Sequence, residues 1–166
     1  MNGYLLILLL TALSILQTTV LPRLITSDLR PDVMLLVVVG WALLRGPREG
    51  ALWGFVGGIG LDVLSAAPFG LNTLLLTLIG FASGLGETRI FRTNFILPPL
   101  VAAGATLVLY LTSAAWLQLA GWPVDWIALL ARLVLPSVGV NALIMPFVFL
   151  PLRWMSRVTG RAAIGV

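Results

Sequence analysis

The chain has 166 residues, 60% hydrophobic and only 10% charged, with a mean hydropathy of +1.08, whereas a soluble domain carries about 25% charged residues. That excludes an ordinary soluble domain and indicates one integral membrane domain over residues 1–166, because several spans of about 20 residues each leave little chain for a soluble module. The absence of Cys and His removes disulfides, thiol chemistry, histidine-ligated haem and the usual zinc sets, and no cofactor or metal is expected.

The first apolar run, about residues 3–21, lacks a charged leader beyond the terminal amine and has no small-residue cleavage site, so a retained helix is expected. It ends in the polar residues Gln17, Thr18 and Thr19. PRLITSDLRPD, residues 22–32, leads to a second run at 32–44, and the charged turn RGPRE, residues 45–49, to a third at 50–65. AAPFG precedes a fourth run at 71–86, the polar ETRIFRTN a fifth at 95–120, and GWPVD a sixth at 126–152; the Pro- and Gly-rich pieces read as turns. The pattern predicts an all-α polytopic protein with about six transmembrane helices. Runs two to four fall short of the roughly 20 residues that cross about 30 Å of hydrocarbon. A four-span chain with a re-entrant hairpin at 50–86 is therefore the structural alternative.

The net charge of +4 comes from arginines alone on the basic side. With six spans, one side of the membrane holds Arg45, Arg48, Arg89, Arg92, Arg153, Arg157 and Arg161, and the other only Arg23 and Arg30. That asymmetry places both termini in the cytoplasm and accounts for the basic balance without a nucleic-acid partner. Trp53, Trp122, Trp126 and Trp154 fall near span ends, where an amphipathic indole suits the headgroup region.

Gly50, Gly54, Gly58 and Asp62 recur every four residues, so they share one face of the third helix. Glycines at that spacing let a second helix backbone approach closely. Asp62 lies about 18 Å from Gly50 along the axis. A carboxylate there costs about 2.5–3.5 kcal/mol on insertion scales unless it is paired, protonated or hydrated. Three partners are open to it: backbone N–H groups of the turn SAAPFGLN, Arg132 in the sixth run, or water. For Arg132, snorkelling to the outer interface is the plainer expectation. Most hydroxyls within the spans can bond back to their own helix, but Asn141 needs a neighbour, and Ser137 shares its face. Pro136 and Pro146 are expected to kink or loosen the last helix.

The chain has no His, Lys or Cys, and Asp62 is the one acid well inside an apolar run. A Ser with a His or Lys base, a pair of intramembrane aspartates and a zinc site are all missing, so no enzymatic activity is expected. GGIG at 57–60 is a packing surface in this context and not a phosphate loop.

The block RPDVMLLVVVGWALLRGPREGALWGFVGGIGLDVLSAAPFGLN resembles the MreD family of rod shape-determining proteins. Its members carry Arg-Pro-(Asp/Asn) at the start of the second helix, a later aromatic, Gly-x-x-x-Gly-x-x-x-Asp, and a Gly-containing turn before the fourth helix. The match falls on Arg30, Pro31, Asp32, Trp41, Gly54, Gly58, Asp62, Ser65 and Gly70, with Gln17, Asn141 and Pro146 also fitting. SAAPFG departs from the Ser-Gly-Ser that many members show after the aspartate. The resemblance implies a non-enzymatic protein of the bacterial cytoplasmic membrane that acts in lateral wall synthesis. Its implied partners are MreC, the actin-like MreB filament, a RodA-type glycosyltransferase and a class B penicillin-binding transpeptidase. It also implies a fold similar to the substrate-binding subunits of energy-coupling-factor transporters, and a small-molecule-binding transporter subunit is the alternative function. That alternative calls for an Ala-x-x-x-Ala face on helix 1, which GYLLILLLTALSILQTTVL lacks. The residues singled out for structure or partner binding are Arg30, Asp32, Gly54, Gly58, Asp62, Gly70, Arg132 and Asn141.

Overall fold

The structure, a computed structural model, describes residues 3–20, 31–65, 68–86 and 96–160, and the described residues form helices joined by short turns. Helix α1 is Gly3–Ile15, continued by a π-helical segment Leu16–Val20. Then come α2 (Val33–Arg45), α3 (Pro47–Leu64), α4 (Leu71–Leu85) and α5 (Leu97–Leu119). Helix α6 starts at Trp126–Leu129, passes through a second π segment, Leu130–Val134, and runs on as Leu135–Gly160. These elements coincide with the apolar runs, and α6 extends beyond the expected end at 152. By length and composition, Leu97–Leu119 and Trp126–Val158 suffice to cross a membrane, while Val33–Arg45 and Leu71–Leu85 are apolar but shorter.

Helix α2 is the hub. Every residue from Met34 to Leu44 is buried, as expected of a helix that is apolar all round and enclosed by others. Helices α1, α3, α4, α5 and α6 all pack on it. Gly40 admits the Leu152 side chain of α6, and Gly57 of α3 rests on Met34.

The closest pairing is the antiparallel α3–α4 hairpin. A Cβ added at Gly50 would meet the carbonyl of Gly80, one at Gly54 the carbonyl of Leu76, and one at Gly58 the Cα of Thr73. The glycine row therefore does what its spacing predicts, and Gly84 against Pro47 closes the other end. Backbones in such contact gain dispersion energy that bulkier residues would forbid.

One sequence expectation is revised. Trp53 is only 1% exposed, because it stacks on Trp41 with centroids 4.2 Å apart; it is a core residue and not an interfacial one. Trp122 and Trp154 are exposed, as expected at span ends. Pro146 and Pro151 sit within the continuous run of α6, while the loosening near Pro136 takes the form of the π segment just before it. Proline offers no N–H to the carbonyl one turn back, and π segments arise where the regular ladder is interrupted.

Candidate functional site

The end of the hairpin where α3 passes into α4 is organised by Asp62, which is 4% exposed in the last turn of α3. Its Oδ2 accepts from the backbone N–H groups of Gly70 (3.0 Å) and Thr73 (3.0 Å) and from the Thr73 hydroxyl (2.5 Å). Its Oδ1 accepts from the Asn72 N–H at 3.1 Å. Helix α4 begins at Gly70, which has φ 97° and no capping side chain of its own, so a carboxylate from the preceding helix supplies the cap. Orphan N–H groups at a helix N-terminus and the positive end of its dipole favour that placement. The left-handed φ suits glycine here, since L side chains avoid it. Of the three partners left open by the sequence, the turn is the one the carboxylate engages. Arg132 is exposed on the second π segment, and among the described residues it forms no ion pair with Asp62.

A second polar cluster ties four helices together. Asp32 caps α2, its Oδ1 accepting from the Leu35 N–H at 3.2 Å. Gln17, held on the π turn of α1, donates to that same oxygen at 2.8 Å and accepts from the Met34 N–H at 2.7 Å. The Asp32 N–H donates to Asn141 Oδ1 of α6 at 3.0 Å. Asn141 in turn donates to the Thr106 hydroxyl of α5 at 3.1 Å, and Thr106 donates to the Ala102 carbonyl at 2.7 Å. Asn141 and Thr106 are fully buried, and their polar atoms are paired, as burial requires.

At the opposite end, the Trp41 indole N–H donates to Glu49 at 2.8 Å. The Arg45 guanidinium lies 5.5 Å from the Trp41 ring centroid, a cation–π arrangement. An apolar groove of about 550 Å³, lined by Phe55, Ile59, Phe69, Gly70, Thr73, Leu74 and Thr77, runs beside the Asp62 cap.

The singled-out residues are thus distributed as follows. Asp62 and Gly70 meet directly, and Gly54 and Gly58 form the floor of the same hairpin. Asp32 and Asn141 meet in the second cluster, Arg132 stands apart from both, and Arg30 lies outside the described residues. The Gln17–Asp32 bond has no signal in the sequence, and Thr73 is an exception to the back-bonding expected of most hydroxyls within the spans. Back-bonding is indeed what Thr18, Thr77, Thr106 and Thr112 do. Thr73 differs because it sits in the first turn of α4, where no carbonyl one turn back belongs to the helix.

The chain matches a family model described as rod shape-determining protein MreD over residues 1–156, a span that includes both polar clusters and the hairpin. No curated protein and no solved structure matches it.

Proposed function

Because the chain belongs to the MreD family of rod shape-determining membrane proteins, we propose that it is a non-enzymatic scaffold of the bacterial cell-elongation machinery. It supports lateral peptidoglycan synthesis by holding an MreC-type protein in the cytoplasmic membrane, next to the MreB filament, a RodA-type glycosyltransferase and a class B penicillin-binding transpeptidase. The observation that carries the scaffold reading is the use to which the intramembrane polar groups are put. Asp62, Asp32, Gln17 and Asn141 direct their hydrogen bonds to backbone ends and to one another, which stiffens a surface and leaves these groups engaged. Polar groups in a membrane that only tie helices together favour a structural role.

Six crossings with both termini in the cytoplasm agree with the charge layout. Gly84 against Pro47 brings the adjoining ends of α2, α3 and α4 to one level, with Arg45 and Arg48 there. By the contact of Gly40 with Leu152, α6 runs toward the same end, with Arg153 and Arg157 on its last turns. Asp32 and Asp62 lie at the other end of the short helices, and Asp125 and Arg132 lie further out in the same direction, on the part of α6 that precedes Asn141. A basic end of this kind stays in the cytoplasm.

The test is capture of partner. Tagged full-length chain is expressed with the MreC-type protein of the same genome and purified in mild detergent. Near-equimolar recovery is expected from the parent chain, with loss from Asp62→Leu at equal expression. Recovery of the parent chain alone would overturn the partner assignment.

A further inference from the structure

We infer that the α3–α4 face thins the bilayer it touches and so collects lipids with shorter acyl chains, an inference that rests on the membrane-spanning reading above. Helix α4 has 15 residues, which is about 22 Å at 1.5 Å per residue. Helix α3 has 18 residues, but its first turn is Pro47, Arg48 and Glu49, so its apolar stretch from Gly50 to Leu64 is also about 22 Å. Against a hydrocarbon layer of about 30 Å, both fall short by roughly 8 Å. Arg48 and Glu49 in the first turn of α3 set the inner border, and the Asp62-capped turn sets the outer one. Phe69, exposed in that turn, adds at most part of the difference.

The last two helices are longer. Helix α5 has 23 residues, about 35 Å, and the apolar part of α6 is longer still. Tilt reconciles long helices with the bilayer, since about 30° brings 35 Å down to about 30 Å. Tilt only shortens a projection, so it cannot help the hairpin. Nor can the hairpin lengthen: its outer end is pinned by four hydrogen bonds to Asp62, and its two backbones are locked at Gly50, Gly54 and Gly58. Helix α2 is just as short but is enclosed by its neighbours, so its length never confronts lipid. The hairpin does confront it, through exposed Leu52, Phe55, Val63, Leu74, Leu78 and Leu85. A rigid apolar band too short for the bilayer is met by local thinning, and shorter chains meet it at lower cost.

The chain has no Cys, so single reporter cysteines are straightforward. Full-length protein carrying a fluorophore at Phe55→Cys on α3, in the groove lined only by the hairpin and its turn, or at Leu143→Cys on α6, is reconstituted into equimolar phosphatidylcholines of about 14 and about 22 carbons per chain, with one or the other brominated as quencher. Quenching at position 55 should favour the short-chain lipid by about twofold or more, with a ratio near unity or reversed at position 143. Phe69→Cys should react with a membrane-impermeant maleimide from the face opposite the termini. Equal lipid ratios at both positions would overturn the inference, and so would absence of quenching by either lipid at 55 alone, which means protein covers the face. A silent Phe69→Cys would show that the hairpin does not reach the far side, with the same consequence. Failure of both lipids to quench at 143 as well would remove the membrane-spanning reading itself.

Discussion

Asp62 and Asp32 hold backbone in different ways, and the difference predicts unequal responses to the same substitution. Both Asp62 oxygens accept, from four donors in all. Asn can supply one acceptor oxygen and must turn an NH₂ toward N–H groups, so Asp62→Asn should cost about 2 kcal/mol or more, and Asp62→Leu more again. Asn retains hydrogen-bonding capacity, but the all-donor surroundings leave its NH₂ facing N–H and O–H groups. At Asp32 the bonds from Gln17 and Leu35 go to one oxygen, which an amide reproduces, so Asp32→Asn should stay within about 1 kcal/mol. Thr73→Val should cost about 1 kcal/mol and Thr73→Ser much less, because only the hydroxyl reaches Asp62. Denaturation midpoints of the purified variants in one detergent check this order, and equal loss at both aspartates would refute it. That Asn141 needed a partner was legible in the sequence. That Asp32 is the residue it shares with Gln17 was not, because Asp32 lies 109 residues from one and 15 from the other, and no local spacing encodes such a meeting.

Along the helices, glycine means two different things, and the contacts separate them. Gly54→Ala would drive a methyl into the Leu76 carbonyl, and Gly58→Ala would drive one into the Thr73 backbone. Backbone cannot step aside as a side chain can, so each should cost at least about 1–3 kcal/mol or part the hairpin. Nothing lies within 4 Å of the position a Cβ would take at Gly104 of α5. Gly104→Ala should therefore be neutral, or stabilising by up to about 1 kcal/mol through helix propensity. Thermal stability of the three variants in detergent is the measurement, and a tolerated Gly54→Ala would contradict the close approach. The elements were largely legible, since charged and Pro/Gly segments cut the apolar runs at nearly the observed helix ends. Burial was less so. VMLLVVVGWALLR is apolar on all sides, which suits a lipid-facing helix as well as the enclosed hub it proves to be, since lipid and protein interior select the same side chains. The π segments also escaped notice: LQTTV carries no composition that separates a wide turn from an α turn, and Gln17 makes its bonds from that wide turn.

For the molecule as a whole, the proposed orientation rests on charge distribution and not on packing. Helix packing inside a bilayer is indifferent to which end faces the cytoplasm, so the side is chosen by residues at the borders. Arg45 and Arg48 flank the turn at Gly46, whose φ of 93° joins α2 to α3 with Gly46 as the only residue between them, and Arg153 and Arg157 lie on the last turns of α6, which runs toward the same end. Asp32 and Asp62 lie at the other end of the short helices, and Asp125 caps the far start of α6 through the N–H groups of Ile127 and Ala128. In the proposed orientation, anionic lipid in the inner leaflet attracts each basic residue by about 1 kcal/mol and the arginine end is the anchor. A periplasm-active phosphatase fused after Val166 should therefore be silent, whereas one inserted at Gly121, in the turn between α5 and α6, should be active. Changing Arg153, Arg157 and Arg161 together to Gln removes a large part of the inner-side bias, so it should lower membrane level or yield a mixed population with measurable activity from the C-terminal fusion. If level and orientation persist while rod shape is lost, the tail arginines serve as a docking site for a cytoplasmic partner and not as the anchor. Strong activity from the parent C-terminal fusion would reverse the orientation altogether.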